Sequence, residues 1–159
     1  MILSGQSIRK RGILSPFAER THWNGRQTNG HYTYGLGPAG YDVRLELNAD
    51  KPDCVTTLSP GAFILGATIE RFTMPDDLLA IVHDKSSWAR RGLCIQNTVI
   101  EPGWCGHLTL ELTNHSDNHI TLESGCPIAQ IIFHLLDKTA EKPYDGKYQN
   151  QARGPQQAI

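Results

Sequence analysis

The 159-residue chain has no surplus of positive charge, no membrane-length apolar run and no closely spaced cysteine pair. Lys and Arg number 15 against 16 Asp and Glu, giving a formal net charge of -1, and charged residues make up only 19%. A nucleic-acid partner would need a broad basic field to neutralise phosphates, so the composition argues against that class. Met1-Ile2-Leu3 runs at once into Ser4-Gly5-Gln6, unlike a secretory leader, and no stretch approaches the ~20 apolar residues of a membrane helix. A soluble, cytoplasmic protein with no membrane partner is expected. Cys54, Cys94, Cys105 and Cys126 are dispersed, so they read as small buried hydrophobes or idle thiols and not as a disulfide framework. Helix signals are scarce too: only Ser4 to Gly12, with Ser4 as N-cap and Ile8 on the inner face, predicts a short helix.

What is present is strand pattern. Tyr41, Val43, Leu45 and Leu47 alternate with Asp42, Arg44 and Glu46, and Leu108, Leu110 and Leu112 alternate with His107, Thr109, Glu111 and Thr113. That period of two marks half-buried strands. Denser apolar runs at 62–69, 78–82 and 128–136 predict strands covered on both faces. Turn chemistry at Ser59-Pro60-Gly61, Met74-Pro75-Asp76-Asp77, Glu101-Pro102-Gly103 and Glu123-Ser124-Gly125 separates them, at a spacing that suits a barrel or sandwich. With no repeat or boundary, residues 1–159 are expected to form a single domain, one long enough to bury roughly 70% of its unfolded surface. Residues 15–39, rich in Gly, Asn, Thr and His, read as a long loop. Residues 137–159, with Pro143, Gly146, Gly154 and Pro155, have the composition of a floppy terminus.

Three segments carry groups suited to a nucleotide. Lys85-Ser86-Ser87-Trp88-Ala89-Arg90-Arg91 sets hydroxyls and cations before Gly92, where a single helical turn would aim them at one anion such as a triphosphate. Standing alone, that string is more often a solvated loop. Asn97 to Trp104 reads as a tight hairpin turning at Pro102-Gly103, with short polar groups at its tip to meet a base and sugar. Glu111 stands mid-strand with His107, Thr109 and Thr113, opposite the leucines. Partial cover there would raise its pKa toward the range a proton shuttle needs, although an exposed strand residue is the commoner outcome of such a pattern.

Taken in order, these segments resemble the dCTP deaminase branch of the dUTPase-like superfamily, which acts on pyrimidine deoxynucleoside triphosphates. The resemblance is strong over the C-terminal half through Tyr144 to Gln151, and weaker around Gly40-Tyr41-Asp42-Val43-Arg44-Leu45. It implies an all-β fold, a distorted jelly-roll-like β-barrel, assembled as a homotrimer with sites between subunits and closed by a C-terminal lid over 137–159. It further implies Glu111 as general base, with Arg90 and Ser86 orienting water, base and carboxylate. Lys85 and Ser87 would hold the triphosphate, and Asn97, Thr98 and Glu101 the base and sugar. In the lid, Lys147 would meet phosphate, Tyr144 the sugar and phosphates, and Gln151 the closed pocket. Arg91 has no counterpart and is assigned as a surface charge. Relatives usually carry Asp at the position of Glu101 and an arginine at that of Val99.

The implied reaction is hydrolytic deamination of dCTP to dUTP and ammonia. Magnesium would arrive on the triphosphate, an ion that takes few protein ligands, and no zinc is expected because the H-x-E then P-C-x-x-C signature is missing. The nearest rival is a dUTP diphosphatase, or an enzyme performing both reactions, with Glu101 activating water against the α-phosphate. From a different class comes a trimeric barrel that binds a nucleotide without turnover. Glu111 discriminates best, since ordinary dUTPases lack a glutamate there.

Overall fold

The computed structural model describes residues 1–25 and 32–158. The chain opens with helix α1 (Gly5–Arg11) and continues through strands β1 (Leu14–Ser15), β2 (Thr21–Trp23), β3 (Tyr32–Leu36), β4 (Tyr41–Glu46), β5 (Val55–Leu58), β6 (Phe63–Thr73) and β7 (Leu78–Asp84). A single turn of helix, α2 (Ser86–Ala89), then leads to β8 (Leu93–Ile95), β9 (Val99–Ile100), β10 (Cys105–Asn114), β11 (Ile120–Glu123) and β12 (Pro127–Leu135). Ser4 caps α1 in an extended conformation, and Gly12 ends it at φ 61°, a left-handed turn that glycine adopts without a Cβ penalty. Ile8 is its inward residue, as the pattern predicts.

The main sheet runs in the antiparallel order β8-β10-β6-β4-β12-β7-β9, with β1 beside β6, β3 on β4 and β2 on β3, while β5 and β11 form a separate ladder. This curled, half-barrel sheet is all-β, in line with the distorted jelly-roll-like barrel expected. Residues 15–39 are not one long loop, since β2 and β3 pair and β3 continues onto β4. What orders them is tertiary: Tyr32 is buried, its ring stacked 5.2 Å from that of Trp88. Residues 26–31 of that expected loop lie outside the described residues.

The apolar run on β7 is covered on one face only, with Leu78, Ala80 and Val82 buried and Leu79 and Ile81 partly open. Strand β4 departs in the opposite sense. Its alternation predicts a polar, solvated face, yet Asp42 and Glu46 are as buried as the Tyr41, Val43 and Leu45 beside them. Each of its charges meets an opposite one brought from far along the chain. Asp42 accepts from Lys85 at 2.5 Å, Arg44 donates to Glu70 at 2.7 Å, and Glu46 accepts from Arg153 at 2.7 Å. Burying a carboxylate without such a partner would cost several kcal/mol, on the order of 3–5.

Asn97 to Trp104 is not a hairpin. β9 pairs with β7, at one end of the sheet order, and β10 with β6 and β8, near the other. The turn between them is a corner joining the two ends of the curled sheet, a long-range arrangement that local turn chemistry does not reveal.

Candidate active site

Around that corner lies a cavity of about 490 Å³, within the usual range of small-molecule sites. One wall is the stretch from Thr98 to Glu101, the second is Leu108, Thr109 and Glu111 of β10, and the third is the tail with Tyr144, Tyr148 and Gln151.

A bulge in β6 shapes the second wall. The register jumps from His107 opposite Arg71 to Thr109 opposite Ala67, leaving extra β6 residues against Leu108. Thr68 secures the irregularity: its hydroxyl accepts from the Leu108 N–H at 3.0 Å and donates to the Glu70 carbonyl at 2.7 Å. Bulges of this kind re-aim side chains beside functional sites. Leu108, expected on the face opposite Glu111, therefore lines the same cavity as Glu111.

The corner itself is held by Trp104, which is buried. Its N–H bonds the Glu101 carbonyl at 3.1 Å and its indole Nε1 donates to the Tyr148 carbonyl at 2.8 Å. The tail is thus bonded structure and not the loose terminus its composition suggests. Gln149 accepts from Cys105 N at 2.8 Å and donates to the Gly103 carbonyl at 2.9 Å, while Asn150 N donates to the Cys105 carbonyl at 2.9 Å. A Cβ on Gly103, whose φ is 80°, would fall 2.5 Å from Pro143, so only glycine lets the tail come this close.

Two residues of the cavity wall each carry a side-chain oxygen with unusual surroundings. Glu111 Oε2 and Thr98 Oγ1 are buried and make no hydrogen bond among the described residues. Orphaned groups of this kind are rare and cost about 1–3 kcal/mol each, which makes these two candidates for bonding to a polar ligand. Burial also holds the Glu111 carboxyl above the ordinary carboxylate range. Glu101 is exposed at the other side of the same cavity.

Of the expected site residues, Thr98, Glu101, Glu111, Tyr144 and Gln151 line the cavity, whereas Lys85, Ser86, Ser87, Arg90, Asn97 and Lys147 do not. Lys85 is tied to Asp42, and the Lys147 ammonium lies 4.9 Å from the Tyr148 ring. Ser86 and Arg90 are exposed on α2, with Ser87 Oγ buried and unpartnered between them. Trp88 anchors this turn, being buried and donating to the Pro127 carbonyl at 2.6 Å. Arg91 is more than a surface charge: its guanidinium sits 4.8 Å from the Trp88 ring and donates to the Tyr32 hydroxyl at 3.2 Å. Tyr148, one of the tail phenols available to close over a ligand, also lines the cavity, and Trp104 and Thr109 do so although pattern gives them no role. The neighbourhood of Trp104 to Pro102-Gly103 is the signal that points to it.

Among the described residues no three His, Cys, Asp or Glu side chains converge as a metal cage. Among the described residues the cavity offers the carboxylates of Glu101 and Glu111 only, a donor set that suits an ion carried in by phosphate oxygens.

The dCTP deaminase-like family model matches residues 46–136. A Mycobacterium leprae protein named "dCTP deaminase, dUMP-forming" is 47% identical over 105 residues, which is 62% of this chain and 55% of that protein. A Thermococcus kodakarensis dCTP deaminase is 34% identical over 157 residues, covering 94% of this chain and 92% of its own. The chain thus spans about half the length of the mycobacterial relative it matches. Among solved structures, the 2'-deoxycytidine 5'-triphosphate deaminase of Agrobacterium tumefaciens superposes with a TM-score of 0.64 at 21% identity, over 84% of this chain and 47% of that one. A Streptococcus mutans dUTPase does so with a TM-score of 0.51 at 21% identity, over 80% and 96%. At these identities the two structures speak for the fold alone.

Proposed function

The chain belongs to the dCTP deaminase-like family, and from that premise we propose that it hydrolyses dCTP to dUTP and ammonia. The observation that carries this reading is that Glu111 and Thr98, each with a buried side-chain oxygen that has no partner among the described residues, line one cavity. Glu111 takes a proton from water as the oxygen attacks C4 of the cytosine ring. That proton passes to N3, and the amine leaves as ammonia once the second water proton has reached it, so water and dCTP account for all atoms of dUTP and ammonia. A carboxyl lifted by burial suits both halves of this shuttle, being basic enough to accept and acidic enough to return the proton.

Thr98 presents its hydroxyl to the base, Glu101 and Asn97 hold the sugar side, and the tail residues Tyr144, Lys147 and Gln151 cover the phosphates and pocket. Arg90 and Ser86, with Lys85 and Ser87 at the triphosphate, are assigned to the site although one copy does not bring them to its cavity. A homotrimer in which a neighbouring copy supplies α2 reconciles the two. Residues 1–159 act as one domain in this assembly. Magnesium, arriving on the triphosphate, would offset its charge beside Glu101 and Glu111 without a protein cage, and no zinc is required.

A second reading is favoured by Glu101 sharing the cavity with Glu111 and by the "dUMP-forming" relatives. In it the enzyme also cleaves dUTP to dUMP and pyrophosphate, Glu101 activating the water. Separate incubation with dCTP and with dUTP, resolving ammonia, dUTP, dUMP and pyrophosphate, decides between them. Ammonia with dUTP supports deamination alone, ammonia with dUMP supports both steps, and absence of ammonia overturns the proposal.

A further inference from the structure

The register places three residues in one line across neighbouring strands: Glu46 of β4 and Thr109 of β10 both pair with Ala67 of β6. Directly opposed residues put their side chains on one face of a sheet. Across this face lies the tail. Arg153 donates through Nε to Glu46 Oε1 at 2.7 Å, and its Nη2 lies 2.6 Å from the same oxygen. Thr109 Oγ1 accepts from Gln151 Nε2 and, at 3.1 Å, from the backbone N–H of Gln156. Between these points Gly154 is buried, and a Cβ there would lie 3.2 Å from that of Ala49.

The two anchors are unlike surface contacts. Glu46 is 2% exposed and its Oε2 has no partner, so its charge depends on Arg153, a residue that itself stays half in solvent. Thr109 lies on the cavity wall two residues before Glu111, and Ala67 between the anchors is too small to obstruct a chain passing over it. Resting on the reading of the cavity as the nucleotide site, we propose that Glu46, Ala67 and Thr109 form a seat for residues 151–156. Thr109, Glu46 and Arg153 are positioning residues that fix the tail as the third wall beside Glu111. Closure is then largely built into the protein, and substrate binding supplies only what remains.

The test compares Thr109→Val and Arg153→Gln with the rescue variant Thr109→Ser, which restores the hydroxyl. Hydrogen exchange of residues 148–156, measured without nucleotide, is expected to quicken about tenfold in the Val and Gln variants and to return in the Ser variant. The KM for dCTP should rise by a similar factor while kcat changes little, because the substrate must then order the tail itself. Unchanged exchange in both variants overturns the seat. Faster exchange with an unchanged KM overturns its positioning role. A parent protein that releases no ammonia counts against the proposed function, while the exchange data still decide the seat.

Discussion

At the scale of single residues, the site turns on two carboxylates with different surroundings. Glu111→Gln keeps shape and hydrogen bonding but cannot accept the water proton. Ammonia release should fall by about 10²–10⁴-fold with dCTP affinity little altered, as measured by steady-state kinetics and equilibrium binding. A near-parental rate would sink the mechanism. A base must be ionised, so the acidic limb of kcat should lie above the ordinary glutamate value of about 4.3. For stability the sign is reversed. Folding favours the protonated form of a group whose pKa burial has raised, so its contribution is fully present below the ordinary value and is lost as pH rises through the folded one. Thermal scans should therefore show Glu111→Gln no less stable than the parent at neutral pH. Glu101→Gln tests the other carboxylate: under deamination alone it should raise KM for dCTP and spare kcat. Under the two-step reading it should also abolish pyrophosphate release from dUTP.

At the scale of elements, the tail is where physical detail changes the expectation most. Removing everything after Asp137 takes Arg153 from the buried Glu46 and Tyr148 from the indole of Trp104. The truncation also uncovers Glu46, so what is lost is the bonds themselves, about 1.5–3 kcal/mol for one to a charged group and about 1 kcal/mol for a neutral one, and the truncated protein should melt below the parent as well as lose turnover. A truncation with an unchanged Tm would mean that the tail is lid only. Strands β4 and β10 were legible in their alternation, and Glu111, Thr98 and Glu101 in their motif order. The partners of Asp42, Arg44 and Glu46 were not, because they come from positions 85, 70 and 153 and leave no local trace. The supposed hairpin failed for the same reason, its two strands finding their partners elsewhere. Thr109 was visible as a strand residue, but its value depends on a tail whose own pattern is blank.

At the scale of the whole molecule, the separation of α2 from the cavity makes a prediction about assembly. Arg90→Ala and Glu111→Gln are each expected to be nearly inactive. If sites form between copies, unfolding and refolding the two variants together should create some sites with an intact Arg90 from one copy and an intact Glu111 from another. Ammonia release should then reappear in the mixture, at a fraction of the parental rate, and sedimentation should report a trimer. A mixture as inactive as its components would show that each copy works with its own α2.

The corner between β9 and β10 gives heredity an uneven target. Glu101 and Glu111 stand at the two ends of one curled sheet, and their separation is fixed by a short stretch of chain. Because strand side chains alternate with every residue, gaining or losing one codon between Gly103 and Glu111 would turn the Glu111 carboxyl to the far side of β10. A codon gained in the exposed stretch at Asp50 to Asp53 would lengthen a loop at little cost. Lineages descending from this chain should vary freely in length at the second place and scarcely at all at the first, so that descent is recorded there in the spacing of residues as firmly as in their identity.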